Sequence, residues 1–157
     1  MTELHYGIAV TPEAASLSGR ELLQAIVDGR LPHPPISRTM SFHLVEVGAG
    51  FAAFEGEPGP DLLNPMGGVH GGVALTLIDS AAGCAAHSLL PAGGAYTTIE
   101  TRGTLTRPIT TDTGRVRAEG RVVNAGRKIV TAEVRVTDAR GRLLAHGGST
   151  LLVLAPG

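Results

Sequence analysis

Apolar residues follow different periods in successive parts of the chain. Leu22, Leu23, Ile26 and Val27 recur at helical intervals and predict a short amphipathic helix laid against the main body. Ser18-Gly19-Arg20-Glu21 ahead of it has capping-box spacing, and Asp28-Gly29 ends it. Thr11-Pro12-Glu13 gives an earlier cap with proline at the first helical position. Pro32-His33-Pro34-Pro35 reads as an extended linker. Residues 39–56 then predict two strands. In the first, Met40, Phe42, Leu44 and Glu46 share one face and Ser41, His43 and Val45 the other, with a turn at Gly48-Ala49-Gly50. The second, Phe51 to Glu55, stops at Pro58-Gly59-Pro60.

Residues 71–90 are apolar nearly all round, which predicts a buried helix closed by Pro91-Ala92-Gly93-Gly94. Strand patterns fill the rest. Residues 95–107 are rich in threonine and β-branched residues. Val116, Ala118, Gly120 and Val122 alternate with charged residues, as do Val130, Ala132, Val134 and Val136, and Leu143 to Leu154 form the last strand. Short turns between strands predict antiparallel pairing. An antiparallel sheet with one apolar face needs a cover, and the apolar helix supplies it. The expected fold is therefore α+β, a curved antiparallel sheet wrapped around one long central helix. Residues 1–35 are read as a helical extension and linker, and residues 36–157 as the main domain.

Composition narrows the function classes. A chain of 157 residues suggests one domain with a real core, and with three Phe, two Tyr and no Trp that core is aliphatic. The net charge of −1, without blocks of Lys or Arg, gives no electrostatic case for nucleic acid or a membrane surface. The single cysteine, Cys84, forms no internal disulfide and reads as a small core residue. Residues 71–90 approach the roughly 20 residues needed to span a bilayer. Asp79 near their middle, with Thr76, Ser80, His87 and Ser88, favours a buried helix of a soluble protein instead. No secretory leader pattern is visible, so the cytoplasm is the expected location.

The candidate chemistry lies where a glycine-dense loop meets that helix. Asn64-Pro65-Met66-Gly67-Gly68-Val69-His70-Gly71-Gly72 leads into an apolar run whose one acid is Asp79. If the helix begins near Gly71, the amides of Gly71 and Gly72 point from its N-terminus and can stabilise an oxyanion. Asn64 can place its amide on the same group or on its own loop. A lone carboxylate among apolar residues is costly unless paired or at work. Structural pairing with Arg102 or a backbone amide is the alternative for Asp79, and loop anchoring is the preferred role for His70. Asp79 lies eight residues after Gly71, or about 12 Å along a straight helix. That is too far for both groups of one chain to act on one carbonyl, so a two-fold dimer with shared sites is expected. No metal-ligand spacing, phosphate loop or dinucleotide fingerprint is present, and no cofactor or metal is expected.

Asn64, Gly67 or Gly68, Val69-His70-Gly71-Gly72 and Asp79 resemble the signature of hotdog-fold acyl-CoA thioesterases, closest to the phenylacetate-pathway (PaaI-like) branch. Thr97-Thr98-Ile99-Glu100, Leu105-Thr106-Arg107-Pro108-Ile109, Val123-Asn124-Ala125-Gly126-Arg127-Lys128 and Leu144-Ala145-His146-Gly147 are similar too, so the likeness spans about residues 35–154. The resemblance implies a catalytic carboxylate at Asp79, an oxyanion-hole amide at Gly71, a polar partner of the thioester carbonyl at Asn64 and a supporting His70. It also implies a water-holding hydroxyl at Thr98, with Thr97 an alternative. Arg107, Arg127 and Lys128 are candidates for the CoA phosphates. It implies dimers, or dimers of dimers, with sites at the two-chain interface, and CoA entering only as part of the substrate. An aromatic or medium-chain acyl group fits. Gly103 departs from the pattern and predicts a wider pocket or a bulged strand. A hotdog hydratase shuttling protons through His70 and Asp79, or a non-catalytic acyl-CoA binder, are the competing functions.

Overall fold

The computed structural model describes residues 4–154, so the outermost residues of both expected segments lie outside the described residues. Six strands form one antiparallel sheet, and one long helix, α4 (Gly71–His87), touches all six. The strands are β1 (Phe42–Gly48), β2 (Phe51–Gly56), β3 (Ala95–Leu105), β4 (Val116–Ala125), β5 (Ile129–Asp138) and β6 (Leu143–Leu154). Their spatial order is β1-β2-β4-β5-β6-β3. Hairpins explain β1-β2, β4-β5 and β5-β6. β3 instead pairs with β6 and stands at one edge, which sequence order alone does not disclose.

Alternation accounts for the inner face of the sheet. Val116, Ala118, Val130, Ala132, Val134 and Val136 are all buried. The helix answers with Val73, Ala74, Leu77, Ile78, Ala81, Ala82, Ala85 and Ala86, none more than 3% exposed. Each fully buried Leu or Ile contributes about 1.5–3 kcal/mol. The alanines let helix and sheet approach closely, and a Cβ on Gly120 would lie 2.4 Å from the Ala81 carbonyl oxygen.

Two strand irregularities correct the expected faces. In β1 the register shifts between Leu44 and Glu46, so Val45 is an extra residue and parity reverses beyond it. Glu46 consequently faces outward and bonds Arg117 at 2.6 Å instead of continuing the buried face of Phe42 and Leu44. In β3 the shift falls between Thr98 and Glu100. Gly103 is neither a bulge nor a widening. A Cβ there would lie 2.8 Å from Ile78 Cδ1 and 2.9 Å from Leu75 Cδ2, so glycine marks where strand and helix press together.

The N-terminal segment holds three helices: α1 (Pro12–Ser16), α2 (Gly19–Val27) and α3 (Pro35–Thr39). The capping box forms, with the Ser18 amide donating to Glu21 Oε2 at 2.8 Å and the Glu21 amide to Ser18 Oγ at 3.4 Å. The expected linker is only partly extended. Its His33 lies opposite Tyr6 in a parallel bridge, accepting from the Gly7 amide and donating to the His5 carbonyl, while Pro35 starts α3, where a fixed φ favours a first helical turn. α2 seats its N-terminus on the end of α4: the Gly19 amide donates to Leu90 at 3.0 Å, and a Cβ there would overlap the His87 carbonyl oxygen at 1.8 Å. Among the described residues no helix is long and apolar enough to cross a membrane.

Candidate active site

The loop before α4 is closed by its own backbone. Leu63 and Val69 form an antiparallel bridge, the Asn64 amide donates to Gly68 at 2.8 Å, and Gly67 adopts φ +82° to turn between them. That conformation suits glycine because a Cβ would be strained. Asn64 Oδ1 accepts from the amides of Met66 at 2.9 Å and Gly68 at 3.3 Å. Its carbonyl end therefore anchors the loop, which leaves the Nδ2 end to donate elsewhere. Two further bonds tie the loop to its surroundings, from the Val69 amide to Ile109 and from the His70 amide to Leu62.

His70 is the N-cap of α4, and its Nδ1 accepts the Gly72 amide at 2.9 Å. With that lone pair committed, the ring proton sits on Nε2. The expectation that both glycine amides are available is corrected accordingly. Gly72 is already satisfied by the cap, and Gly71 is the donor left at the helix end. A cavity of about 380 Å³ opens beside this end, lined by Met40, Leu62, His70, Gly72, Val73 and Thr76.

Asp79 stands two turns further along the helix, in different surroundings. Its Oδ1 accepts from Thr98 Oγ1 at 2.8 Å and Thr101 Oγ1 at 3.1 Å. Thr101 Oγ1 also lies 2.9 Å from Ser149 Oγ. Since Thr101 gives its one proton to the carboxylate, Ser149 donates to Thr101, and a chain of hydroxyls runs from β6 to the acid. Both threonine bonds fall on Oδ1, so Oδ2 is the oxygen that neither hydroxyl engages. Thr98 faces Asp79, whereas Thr97 is exposed on the other face. Arg102 does not reach Asp79; it lies 3.9 Å from exposed Glu100.

Thr101 and Ser149 escape a reading of the sequence for a definite reason. Residues three apart on a regular strand point to opposite faces. The β3 bulge lies between Thr98 and Glu100, so Thr98 and Thr101 both turn inward. A run with threonines at 97, 98 and 101, together with a lone acid in an apolar helix, is the available signal.

The basic candidates are not brought together. Arg107 follows β3 at the Gly71 end, its amide bonded to Leu144. Arg127 and Lys128 lie in the β4–β5 turn, near Leu152 and Val153 at the far end of β6. Strand β3 separates these ends by about 33 Å. All three side chains are exposed.

The family model described as "Thioesterase superfamily" matches residues 66–145, just over half of the chain. The chain belongs to the thioesterase superfamily. Solved structures agree on the hotdog fold. The TT0310 protein of Thermus thermophilus is 30% identical at a TM-score of 0.69, the match covering 76% of this chain and 97% of that one. Streptococcus mutans smu.793, a structure bound to acetyl CoA, is 25% identical at 0.66, covering 73% and 90%. The PaaI protein of the E. coli phenylacetic acid degradation operon shares the fold at 18% identity and 0.70, covering 77% and 85%. No curated protein matches the chain. Helices α1–α3 precede the residues that the family model matches.

Proposed function

We propose that the protein hydrolyses acyl-CoA thioesters at sites shared between two copies of the chain. The observation carrying this reading is the position of Leu75. A two-fold axis that brings Gly71 of one copy to Asp79 of the other must pass midway between them, beside residue 75. Leu75 is the apolar helix residue left 38% exposed. Alongside it runs the outer edge of β3, eleven residues long with Ile99 56% and Leu105 44% exposed. A long edge strand with unpaired backbone groups invites pairing. Two β3 edges joined across that axis would unite the sheets, and the stacking of such dimers in pairs, which the family resemblance implies, requires a further face to be buried.

In the shared site the thioester carbonyl points at the Gly71 amide, with Asn64 Nδ2 as a second donor. Asp79 Oδ2 of the other copy takes a proton from water as the oxygen adds to the carbonyl carbon. The carbonyl π electrons pass to the oxygen held by the amides. The intermediate then expels the CoA thiolate, which receives the proton from Asp79. Direct attack by Oδ2 to give an anhydride, later hydrolysed, uses the same groups. Substrate of the acyl-CoA type is supported by membership of the family and by the acetyl CoA bound to the S. mutans neighbour. The PaaI-like branch, an aromatic or medium-chain acyl group and phosphate contacts from Arg107, Arg127 or Lys128 are the finer parts of this proposal.

Mixing two inactive chains tests it. Gly71→Val blocks the amide end, and a Cβ there meets only Leu105 Cδ2 at 3.5 Å, an ordinary contact. Asp79→Ala removes the acid. Co-refolded chains should recover about one quarter of native thiol release, because random pairing makes half the dimers mixed and each has one intact site. Hybrids as inactive as both parents would overturn the shared site. Enoyl absorbance change without thiol release would instead indicate a hydratase.

A further inference from the structure

We infer that Tyr96, seated in the notch left by Gly83, is the end wall of the acyl site and, within the aromatic or medium-chain class, restricts the protein to compact groups of roughly six carbons along the chain. The inference rests on the thioesterase reading and adds a specificity-determining residue to it. Gly83 lies four residues after Asp79, on the same helix face and about 6 Å further along the axis. A Cβ at Gly83 would lie 2.3 Å from the Tyr96 hydroxyl oxygen and 3.0 Å from Cζ. The phenol tip thus fills the volume that any other residue would claim.

Tyr96 and Thr98 lie two apart on β3, so the wall and the carboxylate's hydrogen-bond donor share one face of one strand. In the opposite direction the seam between α4 and β3 is already shut, where Gly103 presses on Leu75 and Ile78. An acyl group held at Asp79 therefore extends along the seam toward Gly83 and stops at the phenol. Burial, with Cys84 and Asp79 nearby, pushes the Tyr96 phenol up, so it stays a neutral and rigid wall.

Space lies behind that wall. The His87 ring stands 5.8 Å from the Tyr96 ring, centroid to centroid, and its buried Nδ1 has no hydrogen-bond partner among the described residues. His87 in turn lines a cavity of about 420 Å³ bounded by Val10, Ala14, Leu17, Leu22 and Pro91. This cavity is roofed by α1 and α2, and α2 is locked onto the His87 carbonyl at Gly19. The N-terminal extension thus covers one side of a half-open, mostly apolar cavity, and the Tyr96–His87 pair stands between it and Asp79.

The axial distance from Asp79 to the wall admits roughly four or five carbon–carbon bonds along a chain. The test is kcat/KM across saturated acyl-CoAs from acetyl to hexadecanoyl, for the native protein, Tyr96→Phe, Tyr96→Leu and Tyr96→Ala. The native protein should fall off steeply beyond hexanoyl. Tyr96→Phe should keep that profile, because the ring still fills the notch. Tyr96→Leu and Tyr96→Ala should raise the dodecanoyl-to-hexanoyl ratio by at least about tenfold, the worth of a few newly buried methylenes. Tyr96→Leu preserves apolar volume and reads the same effect if the alanine variant folds poorly. Native hydrolysis indifferent to chain length, or variants that hydrolyse with the native profile, would overturn the wall alone. No hydrolysis of any acyl-CoA by the native protein would overturn the thioesterase reading and the wall with it.

Discussion

Gly71 and Asp79 stand on one helix, yet the first is framed mainly by a single short stretch and the second by two strands distant in sequence. Residues 64–72 close on themselves through Asn64, Gly67 and the His70 cap. Asp79 instead depends on Thr98 and Thr101 from β3 and, behind them, on Ser149 from β6. The amide end is a local structure, largely exposed; the acid end exists only once the sheet is assembled. This difference separates two kinds of contribution. Losses at the acid end should fall chiefly on the chemical step, with a stability cost added where Ser149 loses its partner Thr101, and losses at the loop should divide between stability and activity.

The largest expected effect is that of Asp79→Asn. It retains shape and removes the base, so kcat should fall by about 10²–10⁴-fold with little change in melting temperature. Stopped thiol release by a folded protein is the expected measurement. Activity within about tenfold of native would exclude the carboxylate as base or nucleophile.

Next come the two threonines, which break the acid end in different ways. A hydrogen bond to a charged group is worth about 1.5–3 kcal/mol, so Thr98→Val and Thr101→Val should each lower kcat by about tenfold or more. They should differ in stability. Ser149 is 1% exposed, and Thr101→Val deprives its hydroxyl of the acceptor it uses. That should cost about 1–3 kcal/mol more than Thr98→Val in denaturant unfolding. Equal stability of the two variants would show that the Ser149 hydroxyl finds another partner.

The same contrast explains what could be read from the amino-acid order. The loop and Asp79 were legible because a glycine-dense run and an acid in an apolar helix are local patterns, and the fold class followed from periods of 2 and 3.6. The helix spacing of about 12 Å is a ground for the proposal of two chains. What escaped were features that change parity or join distant segments. The bulge in β3 turned Thr101 inward, the bulge in β1 turned Glu46 outward, and the pairing of β3 with β6 brought in Ser149. Tyr96 against Gly83 is of the same kind, since a glycine in a helix does not name the side chain that replaces its own.

The smallest expected effect lies at the loop, with His70. Its Nδ1 satisfies the Gly72 amide, so His70→Ala should cost about 1 kcal/mol, the usual worth of an N-cap. In a chain of this size that lowers the melting temperature by about 2–4 °C. His70→Asn should restore it, because an Asn side-chain oxygen caps as well as any. Activity separates capping from proton transfer. A cap acts on the Gly71 amide only through the position of the helix end, so kcat should fall a few-fold in the alanine variant and recover in the asparagine variant. A general base would behave otherwise, since asparagine carries no titrating nitrogen. A loss in both variants comparable to that of Asp79→Asn would move His70 from the frame of the site into its chemistry.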